Sequence, residues 1–466
     1  MTPPIGEPAP EAESGGHDTC ERKYEPFIAL LFPFFALALG VVARFLLNSR
    51  IAGIVRIPYT AVLLIAGILL GIWNHEMNLQ ELGESFDMWI QINPELVLFG
   101  FLPVLVLSSG LNANVHILYR VFGQSALLAG PGVALGAFLT AVIAKYVFVY
   151  NWSWNVSMVL GSILAATDPV AVVALLRDVG ASARLGTVIE GESLLNDGIA
   201  IVFFNLFLAY SLGGSNAAIC YGFSSECIDI NNAQGVVRYF AQVVLGGPAI
   251  GMAFALAVVI FTTFSHDIII EISLTLSLGY LSYFVADFTA GTSGVLAVVT
   301  AGTLVAYLGR PSIESEDNGA FLSFFENIEF TANTVIFTLA GLIIGYNFLA
   351  LDDIGGREWG YLVVLYIFVY LIRCAIIALF FPILRRIGYG LTIRDSVVVV
   401  HGGLRGAVGL ALAIQVQELS ERAPDGQIQI GSDPELGVDD GNRILFFVSG
   451  IAGAWMCDDA CMRKRI

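Results

Sequence analysis

Two stretches of this chain set acidic side chains among apolar neighbours. In the first, Thr167-Asp168-Pro169 is followed by Val170 to Leu176, a run without a polar residue. Proline brings no amide hydrogen, so a helix passing through it loses a hydrogen bond and leaves carbonyl oxygens free to bind a cation. In the second, Glu190-Gly191-Glu192-Ser193-Leu194-Leu195-Asn196-Asp197 leads into Ile199 to Leu208, apolar except for Asn205. Ser193 and Asp197 are four apart and share one helical face.

A carboxylate deep in hydrocarbon is costly unless it is paired, protonated or bound to an ion. For Glu192 the fitting solution is an ion pair that staples two helices. For Asp197 it is an exchangeable site, because too few basic residues lie in apolar runs to neutralise both it and Asp168. The alternative for Asp168 is a helix end in water, which the apolar run after Pro169 argues against. An apolar setting favours the protonated carboxyl and a nearby cation favours the ionised one, so such a group takes either a proton or an alkali ion. Oxygen donors on Asp197, Asp168, Ser193 and the Thr167 carbonyl suit Na⁺, whereas a Cys/His cluster suited to zinc or copper is missing.

The elements that must hold these groups are membrane spans. The chain is 57% hydrophobic and 13% charged, with a mean hydropathy of +0.78, far from the roughly 25% charge of soluble domains. Its charges crowd between apolar blocks of about 17 to 28 residues, the length of a helix crossing the bilayer. A β-barrel would alternate in segments of about ten residues. The expectation is an all-α membrane protein of about 13 transmembrane helices: residues 27–47, 57–74, 94–112, 122–149, 154–177, 186–211, 236–264, 268–286, 292–308, 328–350, 360–384, 395–416 and 443–455. Gly130-Pro131-Gly132 and Gly246-Gly247-Pro248 should kink their helices without ending them. Residues 1–26 are a polar tail without a signal-peptide core, and 456–466 a short C-terminal tail.

The fifth span is broken at Thr167-Asp168-Pro169 and the twelfth at His401-Gly402-Gly403-Leu404-Arg405-Gly406. Interrupted spans at corresponding places in two oppositely inserted halves point to a midplane ion site. Twelve of the 22 Lys and Arg residues fall on one side with the C-terminus and six on the other, which makes the C-terminus cytosolic under the positive-inside rule. Cys220 and Cys227 then lie outside, where a disulfide and two free thiols are both open, and Asn151-Trp152-Ser153 is a weak glycosylation sequon on that side. The net charge of −17 excludes nucleic acid as a partner.

Asp168 with its Thr and Pro, Gly191-Glu192-Ser193-Leu194-Leu195-Asn196-Asp197, Ser293-Gly294-Val295-Leu296-Ala297 and Gly402-Gly403-Leu404-Arg405-Gly406 together resemble the sodium/proton exchangers of the monovalent cation/proton antiporter superfamily. Ala332-Asn333-Thr334-Val335-Ile336-Phe337 looks most like the plant salt-tolerance plasma-membrane antiporters and their sperm-type relatives. The resemblance implies two inverted repeats with crossed discontinuous helices over residues 27–455, divided into a dimerisation bundle and a moving ion-transport core, in a homodimer bathed in membrane lipid. It implies Asp197 as the main carrier, coordination by Asp168, Thr167 and Ser193, support of the broken helix by Asn196, a Glu192–Arg373 ion pair, and Arg405 neutralising helix ends at the second break. Arg373 cannot release its proton, and with Asn at 196 this favours one H⁺ per Na⁺. The expected function is electroneutral Na⁺/H⁺ antiport by alternating access, with no cofactor and no enzymatic step.

The likeness has two departures. Relatives often carry a glutamate in the third span after Leu-Pro-Pro, but here Leu102-Pro103-Val104 leads to Ser108-Ser109. The last apolar run, Leu445 to Trp455, is too short to cross a bilayer. The chain therefore reads as cut short, and cytosolic regulators would bind a tail beyond it. The rivals are K⁺/H⁺ exchange, a cation channel and a non-transporting sensor. A channel would show filter loops or charge rings, and His401 and His266 are candidate pH sensors.

Overall fold

The computed structural model describes residues 27–48, 59–77, 80–168, 172–173, 176, 180, 182–213, 218–220, 227–264, 267–309, 315–350, 356–403, 406–422 and 436–462. Expectations for the N-terminal tail, Pro169, His266 and Arg405 lie outside these residues, as do those for the side chains of Cys220 and Cys227.

Helices dominate: α1 Leu31–Asn48, α2 Tyr59–Glu76, α3 Glu81–Ile90, α4 Pro94–Asn112, α5 Val115–Leu127, α6 Val133–Val147, α7 Trp154–Ile163 and α8 Ala183–Gly213 come first. A two-stranded ribbon, β1 Ala218–Cys220 antiparallel to β2 Cys227–Asp229, follows, its register setting Cys220 opposite Cys227. Then come α9 Ala233–Phe264, α10 Ile268–Phe284, α11 Gly294–Leu308, α12 Ser315–Ala350, α13 Gly356–Leu384, α14 Ile393–His401, α15 Ala407–Arg422 and α16 Val438–Met462.

Among the described residues nine helical stretches are long and apolar enough to cross a membrane, with Trp154–Ile163, Gly294–Leu308 and Val408–Ser420 as shorter apolar helices. Both glycine–proline signals act within continuous helices. Pro131 lies in a π-turn, Leu128–Gly132, that joins α5 to α6, and Pro248 lies inside α9. A π-turn accommodates the missing amide without ending the helix.

Four features depart from the sequence reading. The β ribbon interrupts the helical pattern. Helix α3 is too short and polar to span, and it tucks against the start of α1 and the 3₁₀ turn Ile28–Leu30 before it, where Ser85 Oγ accepts from the Phe32 amide at 3.0 Å and Trp89 Nε1 donates to the Ala29 carbonyl at 2.6 Å. Helix α12 starts at Ser315 rather than 328. Helix α16 runs for 25 residues, past the apolar stretch at both ends; intrahelical hydrogen bonds do not stop where apolarity does.

Small residues set the tightest helix contacts. A Cβ at Gly67 would lie 2.4 Å from the Thr338 carbonyl and one at Gly345 2.2 Å from that of Ile68, so α2 and α12 pack backbone to backbone. Such close approach is the usual route to association in lipid, where apolar surface alone gives no driving force between helices.

Candidate ion-binding site

Helix α7 ends at Ile163, a turn follows at Leu164–Ala165, and residues 166–168 are non-helical. The ending orphans carbonyls that a continuous helix would have satisfied. Helix α8 supplies the replacements. Asn196 Nδ2 donates to the Ala165 carbonyl at 2.8 Å and to Thr167 Oγ1 at 2.9 Å, and Ser193 Oγ donates to the Thr167 carbonyl at 2.6 Å. Thr167, Ser193 and Asn196 are all buried. Asn196 Oδ1 is buried and has no hydrogen-bond partner among the described residues.

One turn after Ser193 on the same helix, Asp197 is half-buried and lies within electrostatic reach of Asp168. Next to it, a Cβ at Gly198 would come within 2.6 Å of the Leu296 side chain, so α8 is pinned against the first turn of α11 beside the carboxylate. The two breaks meet at Asp168: a Cβ at Gly406 would lie 2.3 Å from the Asp168 Cβ, and one at Gly409 3.4 Å from the Ile163 carbonyl.

Glu192 pairs with a residue of α13 instead. Its Oε1 lies 2.6 Å from Arg373 Nη1, and both side chains are largely buried. The contact is a charge contact outside hydrogen-bonding angles, since neither carboxylate oxygen has a hydrogen-bond partner among the described residues. Arg373 Nη2 also donates to the Val399 carbonyl at 3.3 Å, in the last turn of α14. The guanidinium thus sits at a helix C-terminus, where the partial negative charge favours a cation. His401 is engaged as well: Nδ1 meets the Val397 carbonyl at 2.9 Å and Nε2 the Tyr370 hydroxyl at 3.1 Å.

The structure therefore brings Thr167, Asp168, Ser193, Asn196 and Asp197 into one locality and joins Glu192 to Arg373 beside it. Comparison with known proteins gives this arrangement a family. The model described as "Sodium/hydrogen exchanger, transmembrane" matches residues 29–430. The chain belongs to the sodium/hydrogen exchanger family. Sodium/hydrogen exchangers 7 and 8 of Arabidopsis thaliana are 38% and 37% identical over 95% and 93% of this chain. The chain spans 36% and 54% of their lengths. The Na⁺/H⁺ antiporter ApNhaP of Aphanothece halophytica is 30% identical over 88% of the chain and 71% of its own. Among solved structures, the sodium proton antiporter MjNhaP1 of Methanocaldococcus jannaschii matches with a TM-score of 0.72 and 20% identity, covering 94% of this chain and all of that one, a likeness of fold. The antiporter fold and a multi-pass membrane location follow for this exchanger-family chain.

Sequence reasoning missed a second polar locality. Ser108 Oγ, in the stretch that lacks the accessory carboxylate, donates to Glu329 Oε2 of α12 at 2.6 Å. With the span taken to begin at 328, Glu329 reads as a terminal residue. The helix begins at Ser315, which puts Glu329 about four turns inside. The signal that could have found it is Ser315-Glu316-Asp317, a serine followed by acids, the composition favoured where a helix starts.

Proposed function

We infer that this chain exchanges Na⁺ for H⁺ across a membrane, one for one, with Asp197 as the alternating carrier. The observation that carries the reading is that Asp197 lies within electrostatic reach of Asp168, which stands at a helix break whose loose carbonyls are held by Ser193 and Asn196. Two carboxylates within electrostatic reach attract a cation strongly, and one proton relieves their repulsion as a cation does. Sodium and proton are therefore competitors for the same negative charge. Loading with either permits the core to move and re-expose the site; the unloaded pair is held back by the cost of an uncompensated charge in hydrocarbon.

The Thr167 carbonyl retains a lone pair beyond its bond from Ser193, and the Ser193 oxygen is itself an acceptor, so both can join Asp168 and Asp197 around the ion. Glu192 is kept out of the cycle by Arg373, whose guanidinium stays charged at all working pH values. Asn196 cannot titrate. These two facts support an electroneutral cycle. In this reading residues 27–455 form the exchanging unit, divided into dimerisation and core bundles, in a homodimer with a cytosolic C-terminus at the plasma membrane.

In proteoliposomes an imposed Na⁺ gradient should drive opposed proton movement without a membrane potential, and Asp197→Asn should abolish it. Exchange that persists in that variant removes Asp197 as carrier. Parallel gradients of K⁺ and Li⁺ decide the cation, and a K⁺-driven flux exceeding the Na⁺-driven one replaces sodium as substrate.

A further inference from the structure

Glu329 does not stand alone in α12. Asn333, one turn on, shares its face, is buried, and has its side chain near the phenol of Tyr59, the first residue of α2. The Tyr59 hydroxyl lies within electrostatic reach of both Glu329 and Asp168, and of Arg44. Its ring stacks on Phe330 with centroids 5.5 Å apart, and the Arg44 guanidinium sits 4.9 Å from the centre of that same Phe330 ring. On the other flank, Ser108 gives its hydroxyl to Glu329 and receives Asn112 Nδ2 at 3.4 Å. Glu329, Asn333 and Tyr59 thus gather where α12 meets the start of α2, with Asp168 within electrostatic reach of the Tyr59 hydroxyl.

The ends of the helices place this group. Tyr59 opens α2, and Ser108 and Asn112 close α4. Both ends face the side of the membrane on which the sequence collects its arginine-rich connections. A carboxylate in a span is retained at a cost, and one fixed by a serine with further oxygen donors close by is suited to a desolvating cation. We propose that Glu329 is the entry carboxylate of an alkali-cation path to Asp168, open to this one side, with Ser108 as its positioning residue and Tyr59 and Asn333 as the oxygens between. The proposal rests on the exchange reading above.

A purely structural Glu329, stapling α4 to α12 through Ser108, would affect stability and maximal rate. An entry carboxylate affects affinity, and from one side only. The test uses the full chain in proteoliposomes of fixed orientation, with Na⁺ supplied from either side. Wild-type exchange must be present first; its absence defeats the exchange reading and this proposal with it. Given that exchange, Glu329→Gln should raise the KM for Na⁺ about tenfold from the arginine-rich side, the order expected when a local charge no longer concentrates counter-ions. The KM from the opposite side and the maximal rate should hold within about twofold. The paired variant Ser108→Glu with Glu329→Ser, which moves the carboxylate across a 2.6 Å contact, should recover the low KM. A fall in maximal rate without a KM change, or an equal KM change from both sides, overturns the proposal. If Glu329→Gln does not insert stably, the paired variant carries the test: a one-sided KM near wild type supports the path, and a raised one overturns it.

Discussion

Gly406 presses directly on Asp168: a side chain at 406 would begin 2.3 Å from the Asp168 Cβ and 2.7 Å from its Oδ2. The obstacle is the root of the aspartate side chain, not a flexible tip, so no rotamer change relieves it. The absence of a side chain at 406 is what lets the second helix break close over the first.

Gly406→Ala should therefore displace Asp168 and depress Na⁺-driven proton flux strongly. Overpacking of this kind costs about 1–3 kcal/mol, so the protein should still fold with a lowered melting temperature. Gly409→Ala is the control, because its Cβ would meet the Ile163 carbonyl at an ordinary 3.4 Å. Equal flux in both variants would show that the crossing does not need the close approach.

Removing one member of the Glu192–Arg373 pair leaves the other as an uncompensated buried charge, which costs about 3–5 kcal/mol. Glu192→Ala and Arg373→Ala should each lower the melting temperature sharply. The double variant should be less damaged than the two single losses combined, since neither charge is then stranded. Strictly additive melting shifts would mean that the 2.6 Å contact carries no coupling.

Outside the spans, Tyr150 donates to Glu358 Oε1 at 3.3 Å. Burial first, and the Glu358 carboxylate second, push its phenol up to about 12 from the usual 10. Arg443, 4.5 Å from the ring centre, opposes this. A folded value above the unfolded one means the contribution to stability is intact below pH 10 and is lost as pH rises through about 12. Alkaline melting curves should show a decline across that window, and Tyr150→Phe should flatten it. A decline of unchanged depth in the variant would assign it to other groups.

The local make-up of the candidate site was legible in the sequence. Asp168 beside Pro169 marks a broken helix, and the four-residue spacing of Ser193 and Asp197 places them on one face whatever the tertiary fold. The particular contacts across the break were not legible. Nothing near Gly406 in the chain says that Asp168 lies against it, and nothing near Arg373 points to the Val399 carbonyl. Apolarity also misplaced helix ends: α12 begins in the polar run at Ser315 and α16 continues past Trp455, because backbone hydrogen bonding sets the limits of a helix and hydropathy only the part that lies in lipid. Glu329 was overlooked for that reason.

Asn196 ties α8 to the broken segment, since its amide holds both the Ala165 carbonyl and Thr167 Oγ1. Asn196→Ala strands those buried acceptors at about 1–3 kcal/mol each, and both melting temperature and exchange should fall. Asn196→Asp is the sharper variant. A protonated carboxyl keeps one donor, and an ionised one keeps none and adds a third negative charge beside Asp168 and Asp197. Its defect should therefore deepen as pH rises and ease as pH falls, measured as exchange rate relative to wild type at each pH. A defect independent of pH would mean that hydrogen donation by residue 196 is not what holds the broken helix in place.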